Sequence, residues 1–232
     1  MANKEITLKG NLNGINNVID LIEKGNYDDA LEIMIEVQPL KDCEQNNPHH
    51  IYNVYDHIIK TVEYVEYGLR SVVSHMTLED NKQFFIDNEE ELIKLFKLVM
   101  LLHDTGKPNC KKVNTKTGYD SFIKHEKESE EIADYILSDD FIYKKLVLWL
   151  IKNHEYINGD TCTNKKSIRK KYNSLEEVVK QLSFDIESAN IMFMIPMLRI
   201  ADINGQSKFN YSDKFDESMN FIKTLEEVIA AE

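Results

Sequence analysis

Apolar residues recur at three- and four-residue spacing through most of the chain, the period of helices that bury one stripe. Ile51, Val54, Ile58, Val62, Val65, Leu69 and Val72 share one such face and predict a long helix over 51–74, which Pro48 favours at its entry. His57 lies at the edge of that stripe. Residues 15–37 divide into two short helices at Gly25-Asn26, the second over 27–37 and stopped by Pro39. Residues 42–47 are polar and turn-like. A helix over 89–104 is acidic in its first turn, as the macrodipole favours, and apolar on nearly every side over 98–102, so it should run through the middle of the fold.

The stretch 105–122, rich in Lys, Asn, Thr and Gly, reads as a loop, with helices after it near 125–137 and 140–152. A polar, basic loop over 159–171 then leads to helices at 174–182, 186–203 and 213–231. No period-2 strand interrupts this order. The longest apolar run, 191–200, is interrupted by Pro196 and Arg199 and reaches about half the ~20 residues of a bilayer span. It predicts a buried helix and no membrane partner. Without a fixed-period repeat, and with eight glycines and four prolines in all, the pattern predicts an all-α fold. Residues 41–232 form the main domain with its C-terminal helix, and residues 1–40 an N-terminal helical appendage.

Composition narrows the function. With 232 residues, 42% of them hydrophobic, the chain can bury a full core. A formal charge of −12 argues against affinity gained by neutralising the phosphates of duplex nucleic acid, and leaves room for a small anion in a local cationic pocket. Cys43, Cys110 and Cys162 form no CxxC pair, which suggests neither a disulfide framework nor a thiolate zinc cluster, and predicts reduced, structural thiols. Lys4, Glu5, Lys9, Asp20, Glu23 and Lys24 break any continuous apolar core in the first 25 residues, unlike a secretory signal. A cytoplasmic location is expected.

The segment Leu101-Leu102-His103-Asp104-Thr105-Gly106-Lys107-Pro108 ends an apolar helix on an adjacent imidazole and carboxylate, followed by a glycine stop. With seven histidines in the chain a His-Asp doublet means little by itself. Its context means more, because an uncompensated carboxylate there would cost several kcal/mol and calls for a cation, an arginine or several donors. Nitrogen and oxygen side by side suit a borderline or hard divalent cation. His57, His103, His125 and His154 all fall at helix edges or ends, and Asp202 sits near the end of the Pro196 helix, so these groups can converge from separate helices.

Neighbouring groups are less determined. Lys107 either meets a phosphate oxygen or is a solvated cation at a helix end. Arg199 either holds the Asp202 carboxylate or meets substrate. His49, His50 and His75 have no comparable case, and Met192, Met194 and Met197 read as core filler. The basic run Lys165, Lys166, Arg169, Lys170 and Lys171 reads as a solvated face rather than a nucleotide site.

The order H…HD…H…H…D, carried by His57, His103-Asp104, His125, His154 and Asp202, resembles the HD superfamily of metal-dependent phosphohydrolases. The flavour of Asn47-Pro48-His49-His50 and of the doublet segment is similar to the HD domain attached to bacterial tRNA nucleotidyltransferases, over about residues 43–205. The resemblance implies an all-α HD fold with His57, His103, Asp104 and Asp202 around a divalent cation. His125 and His154 would either hold a second ion, bridged by Asp104, or serve the substrate and leaving group. Asp104, Lys107, His125 and His154 are the catalytic candidates. Mixed N/O ligation fits Mg, Mn, Co, Ni or Fe, as one ion or two. The implied reaction is hydrolysis of a phosphoester, in a nucleotide or a small mono- or cyclic diester. Two rivals are an HD-type diiron oxygenase with the same six residues and a non-catalytic nucleotide- or metal-binding sensor.

Overall fold

The computed structural model describes residues 15–48, 50–182, 186–206 and 211–231; His49 and the appendage before residue 15 lie outside them. Helices α1 (Asn16–Glu23) and α2 (Tyr27–Met34) are joined at Gly25, whose φ of 75° makes the turn. The second helix ends at Met34 rather than 37, because Ile35 turns extended, and Pro39 opens the short α3 (Gln38–Lys41) instead of merely stopping a helix. Val18, Ile22, Leu31 and Met34 are fully buried or nearly so, since α1 packs on α2 and on the later α7 (Glu89–Leu102).

The helix expected over 51–74 is two helices, α4 (Val54–Glu63) and α5 (Val65–His75), meeting at Tyr64. The apolar stripe continues across that break because periodicity records which face is buried, not whether the axis is continuous. Asn53 caps α4 by accepting from the Asp56 N–H at 2.8 Å. Helix α6 (Glu79–Asp87) was not expected; its polar sequence buries only Asn81 and Phe85. Helix α7 stops at Leu102, so the His-Asp doublet occupies the turn between α7 and α8 (Lys107–Cys110).

Two-residue strands β1 (Lys112–Val113) and β2 (Asp120–Ser121) pair antiparallel within the expected loop. Asn46 fastens this hairpin: its N–H donates to the Asp120 carboxylate at 2.8 Å and its carbonyl accepts from the Asp120 N–H at 2.9 Å. Helices α9 (His125–Ile136) and α10 (Lys144–Asn153) follow. The polar, basic stretch expected as a loop over 159–171 is mostly helix α11 (Lys165–Ser174), capped by Asn164 accepting from the Ser167 N–H at 3.0 Å. Only Ile168 of that helix is buried, so its apolar signal is slight. In place of a helix over 174–182 there is the single turn α12 (Glu176–Val179).

Helix α13 (Ser188–Gly205) is buried along nearly its whole length and packs against α4, α5 and α14 (Tyr211–Ile229). An all-round apolar sequence produces this, as expected of a helix with no solvent face. It shares the centre of the fold with α7, which is fully buried over 98–102. The architecture is all-α apart from the small hairpin. Among the described residues no helix is long and apolar enough to cross a membrane.

Candidate metal centre

Four helix termini meet in one buried place. His57 comes from α4, the His103-Asp104 doublet from the end of α7, His125 opens α9, His154 caps α10, and Asp202 lies near the end of α13. All six residues are at most 5% exposed. They are the six residues that the pattern H…HD…H…H…D singled out, and the fold brings all of them together.

Each histidine is held through the same nitrogen. The Nδ1–H of His103, His125 and His154 reaches the carbonyl three residues earlier, on Met100, Phe122 and Ile151, at 2.7, 2.8 and 2.7 Å. That of His57 reaches the Gly205 carbonyl at 3.1 Å. A ring bonded in this way turns its Nε2 lone pair inward, the arrangement that a backbone carbonyl imposes on metal-ligating histidines.

Asp104 stands at the middle and divides the four imidazoles into two pairs. Its Oδ2 lies 3.1 Å from His57 Nε2 and 3.3 Å from His103 Nε2, while Oδ1 lies 3.1 Å from His125 Nε2 and 3.8 Å from His154 Nε2. Asp202 Oδ1 is 3.1 Å from His57 Nε2 and 3.8 Å from His103 Nε2. Buried Asp104 Oδ1, His57 Nε2 and His103 Nε2 have no hydrogen-bond partner. His125 Nε2 and His154 Nε2 face each other at 3.3 Å. Acceptors facing acceptors in a buried site are stable only with protons or a cation between them. The donor set, four imidazoles and two carboxylates without thiolate, fits a divalent cation.

The electrostatics agree. Burial would raise the Asp104 carboxyl, but the His103 and Lys107 charges beside it hold it well below the usual carboxylate range. Burial likewise opposes ionisation of Asp202, and the His103 and His57 imidazoles beside it hold it far down. Burial would lower His103, yet Asp104 and Asp202 push it up to about 10. His154 goes the other way, lowered to about 4 by burial and by the charges of His103 and His125.

Gly106 is needed for approach rather than as a helix stop. Its φ of −78° is ordinary, but a Cβ there would lie 2.6 Å from the Ser129 nitrogen and 2.7 Å from the His125 carbonyl. Its N–H donates to Ser129 Oγ at 2.9 Å, which binds the doublet turn to α9. Before α9, Lys124 adopts a left-handed φ of 69°, costly for a side chain with a Cβ and expected where the backbone is bent to aim a functional group.

Lys107 is not a solvated cation. It is 5% exposed, with Nζ 2.6 Å from Asp104 Oδ2 and 2.9 Å from Gln45 Oε1. Arg199 lies 3.5 Å from Asp202 Oδ2 through one terminal nitrogen, while its buried Nε has no partner. Gln206 donates to both Asp202 oxygens, at 3.1 and 3.0 Å. Neither Gln45 nor Gln206 carries a signal in the sequence, because spacing says nothing about which distant amide reaches a site.

A cleft of about 770 Å³ opens beside the cluster, lined by Asn47, His50, Lys107, Tyr119, Phe122, Lys124, His125 and Glu155 among others. His50 was given no role by its sequence position, yet its ring packs edge-on to His57 at 5.0 Å. Burial, then the Lys107 and His57 charges, pushes its pKa far down, so it is neutral. His75 stands apart from this group and meets Phe215 edge-on.

An all-α protein with a buried His/Asp cluster able to hold a divalent metal is the class these observations define. A family model for the HD domain matches residues 54–182, more than half of the chain, and the chain belongs to the HD domain family. Asp202 lies beyond the matched span, so its place in the cluster rests on geometry. Neither the curated proteins nor the solved structures yield a match.

Proposed function

We propose that the protein is a metal-dependent phosphohydrolase acting on a nucleotide or a small phosphate ester. The observation that carries this reading is the convergence of four imidazole nitrogens on the buried carboxylate of Asp104, beside a cleft that Lys107 lines. His57, His103, Asp104 and Asp202 would hold the cation. When bound, a divalent ion supplies Lewis-acid polarisation of a phosphoryl oxygen and a lowered pKa for water.

The remaining groups act around it. Lys107 reaches the cleft with an ammonium that suits a phosphate oxygen, and Gln45 orients it. His125 and His154 stand on the opposite oxygen of Asp104, where they can hold a second ion or a proton for the leaving group. The cleft volume accommodates a molecule of nucleotide size, its organic part against Tyr119 and Phe122. A reducing, cytoplasmic setting fits Cys43, Cys110 and Cys162, which form no disulfide.

The test is phosphate release from a panel of nucleoside monophosphates, cyclic dinucleotides and small alkyl phosphates by the metal-loaded protein. Turnover that disappears in Asp104→Ala supports the reading, and a metal-loaded protein inert toward the whole panel overturns it.

A further inference from the structure

We propose that Glu155 is a metal ligand, completing a second cation position formed by His125, His154 and Asp104 Oδ1. The proposal rests on the reading of the buried cluster as a metal centre.

Three observations converge on it. The ligand atoms of His125, His154 and Glu155 all lie within 4.8 Å of one another. Ligand distances of about 2.1 Å place the atoms around one ion roughly 3 to 4 Å apart, so a small rotation of the exposed Glu155 side chain closes the set. On the inner side of the same space sits Asp104 Oδ1, buried, without a hydrogen-bond partner, 3.1 Å from His125 and 3.8 Å from His154.

Charge supplies the second argument. Around Asp104 Oδ2, two imidazoles are accompanied by the Asp202 carboxylate as well as that of Asp104. Around Oδ1, two imidazoles have the other half of Asp104, while the Glu126 carboxylate meets His125 on its outer Nδ1 side, at 3.8 Å. A second dication held close to the first, and to the Lys107 ammonium, is strongly disfavoured in a buried site without a further negative charge. Glu155 brings the second group to the same composition as the first, two imidazoles and two carboxylates.

Apart from the Lys214 ammonium, which feels its charge, the fold offers Glu155 little else. It follows the C-terminal end of α10, where the helix dipole disfavours an anion, and no ion pair or hydrogen bond of its carboxylate is found among the described residues. Folding therefore gains little from a carboxylate here. It lines the cleft, at the mouth of the centre.

The experiment is titration of the metal-free protein with Mn²⁺, followed by calorimetry and by electron paramagnetic resonance, for wild type, Glu155→Gln and Glu155→Asp. Wild type is expected to bind two Mn²⁺ with a spin-coupled spectrum. Glu155→Gln should keep the first ion at wild-type affinity, bind the second about 10- to 100-fold more weakly, and lose the coupled signal, with Glu155→Asp in between. A merely solvated carboxylate would leave both ions in place in Glu155→Gln, and that result overturns the proposal, as does a wild type that binds a single ion. Failure of wild type to bind any divalent metal would instead remove the metal-centre reading beneath it. Because Glu155 is exposed, the variants should melt like the wild type in the metal-free state, which circular dichroism checks.

Discussion

His57 and Gly205 are joined by a 3.1 Å hydrogen bond from the ring Nδ1–H to the backbone carbonyl, between helices whose residues are 148 positions apart. It fixes the direction of His57 Nε2, and it depends on the absence of a side chain at 205. A Cβ there would lie 2.9 Å from the Thr61 nitrogen on α4, one turn beyond His57. Gly205→Ala is therefore expected to separate α4 from α13, cost about 1–3 kcal/mol of stability and weaken metal binding. Urea unfolding and a metal titration check this; wild-type values in both would show that the contact does not set the ligand's position.

On the proposed reading, Lys107 acts on substrate rather than on the metal. In the metal-free protein it neutralises Asp104 at 2.6 Å, so its removal takes a repelling charge away from an incoming cation. Lys107→Ala should raise KM for a phosphoester by about tenfold, equivalent to about 1.4 kcal/mol, while leaving metal affinity equal or higher. Steady-state kinetics beside a metal titration separates the two. Loss of metal affinity equal to the loss of substrate affinity would contradict this division of roles.

Metal binding should release protons. His103 is held up at about 10 by Asp104 and Asp202 against burial, and His125 is raised by Asp104 against the same penalty. Their Nε2 atoms bind a cation only when unprotonated, so affinity should rise with pH through the neutral range. The sign for the metal-free fold is the reverse. A histidine raised above its ordinary value of about 6.5 gives its full stabilisation below that pH, and loses it as pH rises through about 10. Calorimetry in buffers of differing ionisation enthalpy measures the protons released near pH 7, and an affinity independent of pH would contradict the assignment.

Much of this site was legible because its residues are chemically unusual where they stand. A histidine or aspartate where apolar and polar sequence meet is conspicuous, and His57, His103, Asp104, His125, His154 and Asp202 all fall at such helix edges or ends. Their convergence was not legible, since it depends on how α4, α7, α9, α10 and α13 pack. Helices with few apolar residues escaped notice: α6 buries two side chains and α11 one. Periodicity also carried the 51–74 stripe straight through the break at Tyr64. Gly106 illustrates the remaining difficulty. A glycine after a helix suggests a left-handed stop, whereas here the reason is the close passage of α9, which no local pattern encodes.

The central claim is that Asp104 serves a metal-dependent hydrolysis. Elemental analysis of the purified protein, together with phosphate release from a phosphoester panel by wild type and Asp104→Ala, tests it most directly. The account predicts stoichiometric divalent metal in the wild type, and turnover that is abolished by chelation, restored by metal, and absent from a folded Asp104→Ala. Undiminished turnover by Asp104→Ala, or stoichiometric iron with oxygen uptake and no phosphate release, would contradict it.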